Sequence, residues 1–144
     1  MLIKSINKKD LYQIEMCGAS SLPIYYSLSD LLFLLYDSSY IMYKVTINDK
    51  ICGFLIGKKY NKRIHIMSLA INKLYRRKSV GTNLINQIKL KYNNYIITLN
   101  VLQTNKEAIS FYLKNNFFIE RELINYYENL VDKNAYKMKY IHKL

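Results

Sequence analysis

The sequence predicts an α/β domain built on a mixed sheet, and three observations carry that prediction. Short runs with two-residue alternation are interleaved with runs of helical periodicity, the pattern of strands separated by helices. The run Arg63 to Ile71 is apolar on both faces, as a central strand covered from both sides must be. No repeat, low-complexity tract or Gly/Ser/Pro linker divides the 144 residues, so residues 1–144 read as one domain with a real core.

The elements follow in order. Residues 2–6 alternate weakly as a first strand, and residues 9–18 have helical spacing (Leu11, Ile14, Glu15) with Gly18 as the expected stop. Ser27 or Ser29 caps a second helix through Leu31 and Leu35. Residues 40–47 and 51–57 flank Asn48-Asp49-Lys50, which reads as a hairpin turn. After the strand 63–71 comes a polar loop at 72–78. An amphipathic helix over 80–91 then turns Leu84, Ile85 and Ile88 inward. Residues 95–101 form a strand, Asn105 caps a helix through Ile109 and Tyr112, and strands at 117–125 and 135–141 close the sheet.

Composition excludes several classes. Half the residues are apolar (51%), which argues against disorder, and the apolar run Leu31 to Tyr36 is far too short to cross a membrane. The first ten residues have no apolar h-region and no cleavage site, so no secretory signal is read. Cys17 and Cys52 sit among apolar neighbours as buried thiols, and a reducing, cytoplasmic compartment is the expectation. No metal-ligand spacing and no Ser-His-Asp arrangement is visible, and His142 reads as solvated near the Lys-rich end. The net charge of +12 suits anionic partners, such as a coenzyme pyrophosphate or a ribosome surface. Residues encoded by A/T-rich codons (Lys, Asn, Ile, Tyr, Phe) account for part of it, so specific nucleic-acid recognition is not expected.

The segment Tyr75-Arg76-Arg77-Lys78-Ser79-Val80-Gly81-Thr82-Asn83-Leu84 joins a strand to an apolar-faced helix. Free N–H groups and the positive end of the helix dipole suit a pyrophosphate there. Gly81 is expected to let the backbone approach the anion, and Arg76, Arg77 and Lys78 add charge. A basic loop before a helix is more often a solvated face. The segment nevertheless resembles the coenzyme signature of GNAT acetyltransferases, [Arg/Gln]-x-x-Gly-x-[Gly/Ala], opened by Arg76 and closed by Gly81, with Ser79 in place of the first Gly. Leu99-x-Val101 and Asn105-x-x-Ala108-Ile109-x-x-Tyr112-x-Lys114-x-x-Phe117 resemble the second motif of that family.

That resemblance implies a GNAT fold: a twisted, mostly antiparallel mixed sheet of about seven strands flanked by about four helices. It implies acetyl-CoA as cofactor, held by Leu69, Ala70, Arg76, Arg77, Lys78, Ser79, Val80, Gly81, Thr82, Asn105 and Tyr112. Tyr112 is then the candidate for protonating the leaving thiolate.

Over roughly the last four-fifths of the chain, Ile66-Met67-Ser68-Leu69, Tyr75-Arg76-Arg77 and Asn125-Tyr126-Tyr127 resemble protein N-terminal acetyltransferases, those of the NatE group above all. In that group a Phe-Pro-Val-x-Tyr loop and a Tyr-Tyr hairpin grip the substrate. The counterparts here are Leu22, Pro23, Ile24 and Tyr26, with Met67, Tyr126, Tyr127 and Leu130. The acceptor implied is the α-amine of a protein N-terminus. An apolar mouth suits an initiator Met, so peptides beginning Met-Leu or Met-Lys are expected to outcompete acidic or Ser termini.

His65 and Asn100 stand where the NatE-like enzymes place a Tyr and a His that act through an ordered water. A histidine alone on a strand is usually packing. In this register a neutral imidazole is a credible base, and Asn100 can hold the water. Strand alternation places His65, Met67 and Leu69 on one face, and a backbone N–H near Leu69 could stabilise the oxyanion.

Two other functions fit the same residues. One is a GNAT enzyme for small amines of the polyamine type, although Glu128 is the sole acidic candidate near the mouth. The other is a weakly active structural subunit of a ribosome-associated acetyltransferase complex, favoured by Ser79 and Asn100. A ribosome or an auxiliary subunit is accordingly an open partner, and membrane insertion is not expected.

Overall fold

The computed structural model describes residues 1–127, 131 and 133–142. Among these, seven strands and four α-helices run in the order β1 (Leu2–Ser5), α1 (Leu11–Ser21), α2 (Leu28–Leu35), β2 (Tyr40–Ile47), β3 (Lys50–Tyr60), β4 (Arg63–Ile71), α3 (Val80–Lys91), β5 (Ile96–Leu102), α4 (Lys106–Lys114), β6 (Phe118–Leu123) and β7 (Ala135–Tyr140). The strands form one sheet in the order β1-β2-β3-β4-β5-β7-β6. Only β4 and β5 pair in parallel, with α3 as their crossover; the other neighbours are antiparallel. This is the α/β GNAT fold that the motifs imply, with the doubly apolar β4 at its centre.

Local chemistry sets the ends of these elements. Ser27 Oγ accepts from the Asp30 N–H at 3.2 Å while the Asp30 carboxylate accepts from the Ser27 N–H, a capping box that starts α2. Asn105 Oδ1 accepts from the Ala108 N–H and starts α4. Asn48 and Asp49 both take positive φ (51° and 64°), the twist that a two-residue hairpin needs, so β3 begins at Lys50. Gly18 does not end α1. It is buried inside the helix, where an added Cβ would lie 3.2 Å from the Tyr25 Cβ and 3.6 Å from the Phe54 ring. Close packing, not a left-handed cap, explains this glycine.

Two apolar layers clamp the sheet. Leu84, Ile85 and Ile88 of α3 and Ile109 and Tyr112 of α4 pack on one face, against Leu55, Ile64, Leu99 and Met138. Leu11 and Ile14 of α1 and Leu31 of α2 cover part of the other, over Met42, Phe54 and Ile56. Cys17 and Cys52 are buried free thiols, one in each layer, and burial pushes Cys17 up to about 11.

Two features of β4 shape the centre of the sheet. Its pairing with β3 runs Ile56↔Ser68 and then Gly57↔Ile66, so Met67 is an extra, bulged residue. A bulge reverses the alternation. Ile64 and Ile66 face the α3/α4 layer before it and Leu69 packs on that layer after it, while Ala70 joins the α1/α2 layer. Leu69 therefore does not share a face with His65 and Met67, as strict alternation predicts. The second feature is that the pairing with β5 ends at Ile66↔Leu99, although β4 continues to Ile71 and β5 to Leu102.

Gly53 on β3 shows how closely the strands meet next to this region. A Cβ there would lie 2.9 Å from the Ala70 carbonyl oxygen and 2.6 Å from Ile71 Cδ1. Gly53→Ala is therefore expected to destabilise the fold by about 1–3 kcal/mol, the usual cost of overpacking. Urea unfolding checks this, and an unchanged midpoint would contradict the tight β3–β4 contact.

Candidate active site

Where β4 and β5 part, the β5-facing edge of residues 67–71 loses its strand partner, and its backbone groups become available to a ligand. Leu69 and Ala70 lie on this stretch. Below it, the chain folds back: Arg76 Nε donates to the Ile71 carbonyl at 3.0 Å, and Lys78 Nζ lies 5.9 Å from the centre of the Tyr75 ring. Arg77 and Ser79 are both left-handed (φ 62° each), and α3 begins immediately after with no side-chain cap on its first N–H groups. Such a turn, at the head of a 12-residue helix, aims amides and a positive dipole end at the same point.

The glycine of this segment works differently from the sequence expectation. Gly81 has no positive φ, and its Cα faces α4: a Cβ there would sit 3.0 Å from the Phe111 ring. Its missing side chain lets α3 and α4 pack, and the strained anion-side position is Ser79. Val80 is buried beside it, and Thr82 Oγ1 accepts from Asn115 Nδ2 at 3.4 Å. Tyr112 lies between Phe111 and Phe117, with ring centroids at 5.1 and 5.4 Å, and burial raises its hydroxyl well above the usual value of 10.

On the opposite face of the sheet from α3 and α4, a cavity of about 270 Å³ brings together His65, Met67, Asn100 and Tyr126. The register explains why. His65 pairs across with Lys58 and Thr98, and Lys137 pairs with Asn100 and Arg121, giving two rows that cross the sheet on one face. His65 Nδ1 lies 2.7 Å from Thr98 Oγ1, and burial first, then the Lys137 charge, lowers its pKa below 6.5. Asn100 Nδ2 donates to the Tyr126 hydroxyl at 2.9 Å. Its Oδ1 and the Ser68 Oγ are buried without a partner among the described residues.

The substrate-mouth candidates are divided. Leu22 and Tyr26 pack on the cluster of Phe54, Ile56 and Ala70, on the same sheet face as His65 but beyond the bulge. Ile24 is 54% exposed in that loop. None of these three lines the cavity. Tyr127 packs edge-on against Tyr126 at 4.8 Å, and its N–H donates to the Lys133 carbonyl. Leu130 and Glu128 lie outside the described residues.

His142 is half-buried rather than fully solvated. It stacks edge-on against Tyr140, and its Nε2 is shut off from water. The sequence reading missed Thr98, Lys58, Arg121 and Lys137. Only Thr98 carries a sequence signal, as a polar residue within the apolar run of β5; the three cations come together through strand register. Among the described residues no group of three or more His, Cys, Asp or Glu is placed to hold a metal, and no helix is long and apolar enough to cross a membrane.

Comparison with known proteins adds a family to this geometry. The model of the acetyltransferase (GNAT) family matches residues 8–117. The chain is 29% identical over 135 residues to an uncharacterized N-acetyltransferase of Methanocaldococcus jannaschii, covering 90% of this chain and 85% of that protein. It is 31% identical over 91 residues to N-alpha-acetyltransferase 30 of Xenopus laevis, covering 61% of this chain but only 33% of that longer protein. Its fold is similar to that of Ard1 from Thermoplasma volcanium, with a TM-score of 0.83 and 30% identity over 99% of this chain and 98% of that one. Naa50 of Arabidopsis thaliana, solved with the bisubstrate analogue CoA-Ac-MVNAL, shares the fold with a TM-score of 0.80 at 24% identity, over 96% and 97% of the two chains.

The left-handed Ser79 generates a prediction. A Cβ in that conformation costs energy that glycine avoids, so Ser79→Gly should raise stability by about 1 kcal/mol. Chemical denaturation reads this directly, and a loss of stability would show that the serine side chain holds the turn.

Proposed function

The chain belongs to the acetyltransferase (GNAT) family, and on that premise we propose that it acetylates the α-amine of protein N-termini. The observation that carries the proposal is the meeting of His65, Asn100 and Tyr126 in one cavity beside the point where β4 leaves β5. Acetyl-CoA supplies an activated thioester, two pantetheine amides and a pyrophosphate, and the residues present suit each part. The first-turn amides of α3, with Arg76, Arg77 and Lys78, hold the pyrophosphate. The free edge of β4 at Leu69 and Ala70 pairs with the pantetheine amides, and the Asn105 side-chain NH₂ remains available after its oxygen has capped α4. Tyr112, a phenol that stays protonated at neutral pH and is held further from ionising by burial, would be the donor to the coenzyme's sulfur.

The acceptor must attack as a neutral amine. Near pH 7 roughly a tenth of α-amines are neutral, against well under a thousandth of lysine side chains. In the tautomer that donates Nδ1–H to Thr98 Oγ1, His65 keeps its Nε2 lone pair free, and its lowered pKa favours the neutral ring at pH 7. Asn100, whose Nδ2 holds the Tyr126 hydroxyl beside His65, would position the relay of the proton. Leu22, Pro23, Ile24 and Met67 receive an initiator Met, with Tyr26, Tyr126 and Tyr127 as walls. Lys58, Arg121 and Lys137 around the cavity disfavour the small polyamine-type cation. A nascent chain at a ribosome in the cytoplasm, with or without an auxiliary subunit, is the substrate source that this function implies, and the charge of +12 suits that anionic surface.

A peptide library with acetyl-CoA, read by mass spectrometry, tests the acceptor: acetyl groups are expected on Met α-amines. Acetylation led by internal lysines would overturn the reading. His65→Phe should lower kcat by roughly 10²-fold. The wild-type kcat should fall only as pH drops below about 6.5, where the imidazole gains its proton, and the variant should lose that limb. Full activity of the variant from pH 6 to 9 would make His65 a packing residue.

A further inference from the structure

Three cations from three separate strands converge on the cavity: Lys58 from β3, Arg121 from β6 and Lys137 from β7. No carboxylate lines it among the described residues. Nor do Lys58 and Arg121 form an ion pair among those residues, and Lys137 reaches only a long 3.9 Å contact to Glu120, which Lys139 shares at 3.7 Å. Like charges brought into one concave site repel, and that repulsion is relieved when a counter-charge binds. The hydroxyls of Tyr60 and Tyr126 add neutral donors to the same wall.

A basic chain carries lysines over much of its surface, and most of them face water. These three differ in place. They sit in the two register rows that contain His65 and Asn100, and the Lys137 side chain is only 24% exposed. The apolar loop at residues 22–26 lies on the same sheet face, beyond the Met67 bulge. On the N-terminal reading, an acceptor with its first side chain against that loop would place its second residue beside the cations.

We propose that this cavity is a subsite for an acidic side chain at the second residue of the acceptor peptide, so that the preferred substrates begin with Met followed by Asp or Glu. The inference rests on the N-terminal reading above and revises one part of the sequence expectation. A lysine in second position, expected there to be favoured, meets three like charges.

The test compares kcat/KM for peptides of one length and sequence beginning Met-Glu, Met-Leu and Met-Lys, together with a Met-Leu peptide carrying Glu only at position eight. Met-Glu is expected to exceed Met-Leu by roughly tenfold, the scale of one charge-assisted hydrogen bond. Met-Lys should trail both, and the position-eight peptide should behave as Met-Leu does. The preference should shrink as salt is raised. Arg121→Glu and, separately, Lys58→Glu should each cut the Met-Glu to Met-Lys ratio at least tenfold, a ratio in which general damage to the enzyme cancels. Equal rates for Met-Glu and Met-Leu, an equal gain from acid at position eight, or an unchanged ratio in both variants would overturn the subsite and leave the N-terminal reading standing. If no peptide is acetylated on its α-amine, both readings fall.

Discussion

The arrangement depends on one backbone event, the departure of β4 from β5 after Ile66. Parallel strands normally stay paired while both continue, because an unpaired N–H or C=O in the interior is costly. Here β4 carries an extra residue, Met67, at that place. The bulge bends the strand, reverses its faces and frees one edge. His65 stays on the side where the sheet is uncovered, while Leu69 turns to anchor the stretch against α3 and α4. A free strand edge and a histidine-lined cavity thus arise from the same irregularity.

Electrostatics supports both sides of this gap. At the foot of β4, two left-handed residues and the start of α3 present amides and positive charge to one point. Across the sheet, burial and Lys137 keep His65 unprotonated near neutral pH, the form a base requires. The cations that make the chain basic are therefore not all a uniform coat, since three of them share a cavity with His65.

Much of the fold was legible because it is local. A run apolar on both faces located β4 at its observed ends, helical periodicity located α3, and Ser27 and Asn105 announced two helix starts through their capping chemistry. Features that depend on contacts between distant segments were hidden. Gly18 and Gly81 are glycines because Tyr25 and Phe111 pack against them, which no neighbour in sequence reveals. The bulge at Met67 leaves no mark in a pattern of apolar letters, so the face of Leu69 was misassigned. Lys58, Arg121 and Lys137 gather only through strand register, and a sequence reading sees three scattered surface lysines and arginines.

In the proposed function the free edge of β4 and the turn before α3 together form one slot for the acetyl donor, and the rest of the proposed chemistry stands on that slot. Hydrogen exchange with and without acetyl-CoA tests it most directly. Amides in residues 67–71 and 77–82 are predicted to exchange more slowly with the donor bound, while those of β1 and the β2–β3 hairpin are unchanged. Protection confined to other surfaces, or none at saturating donor, would contradict it.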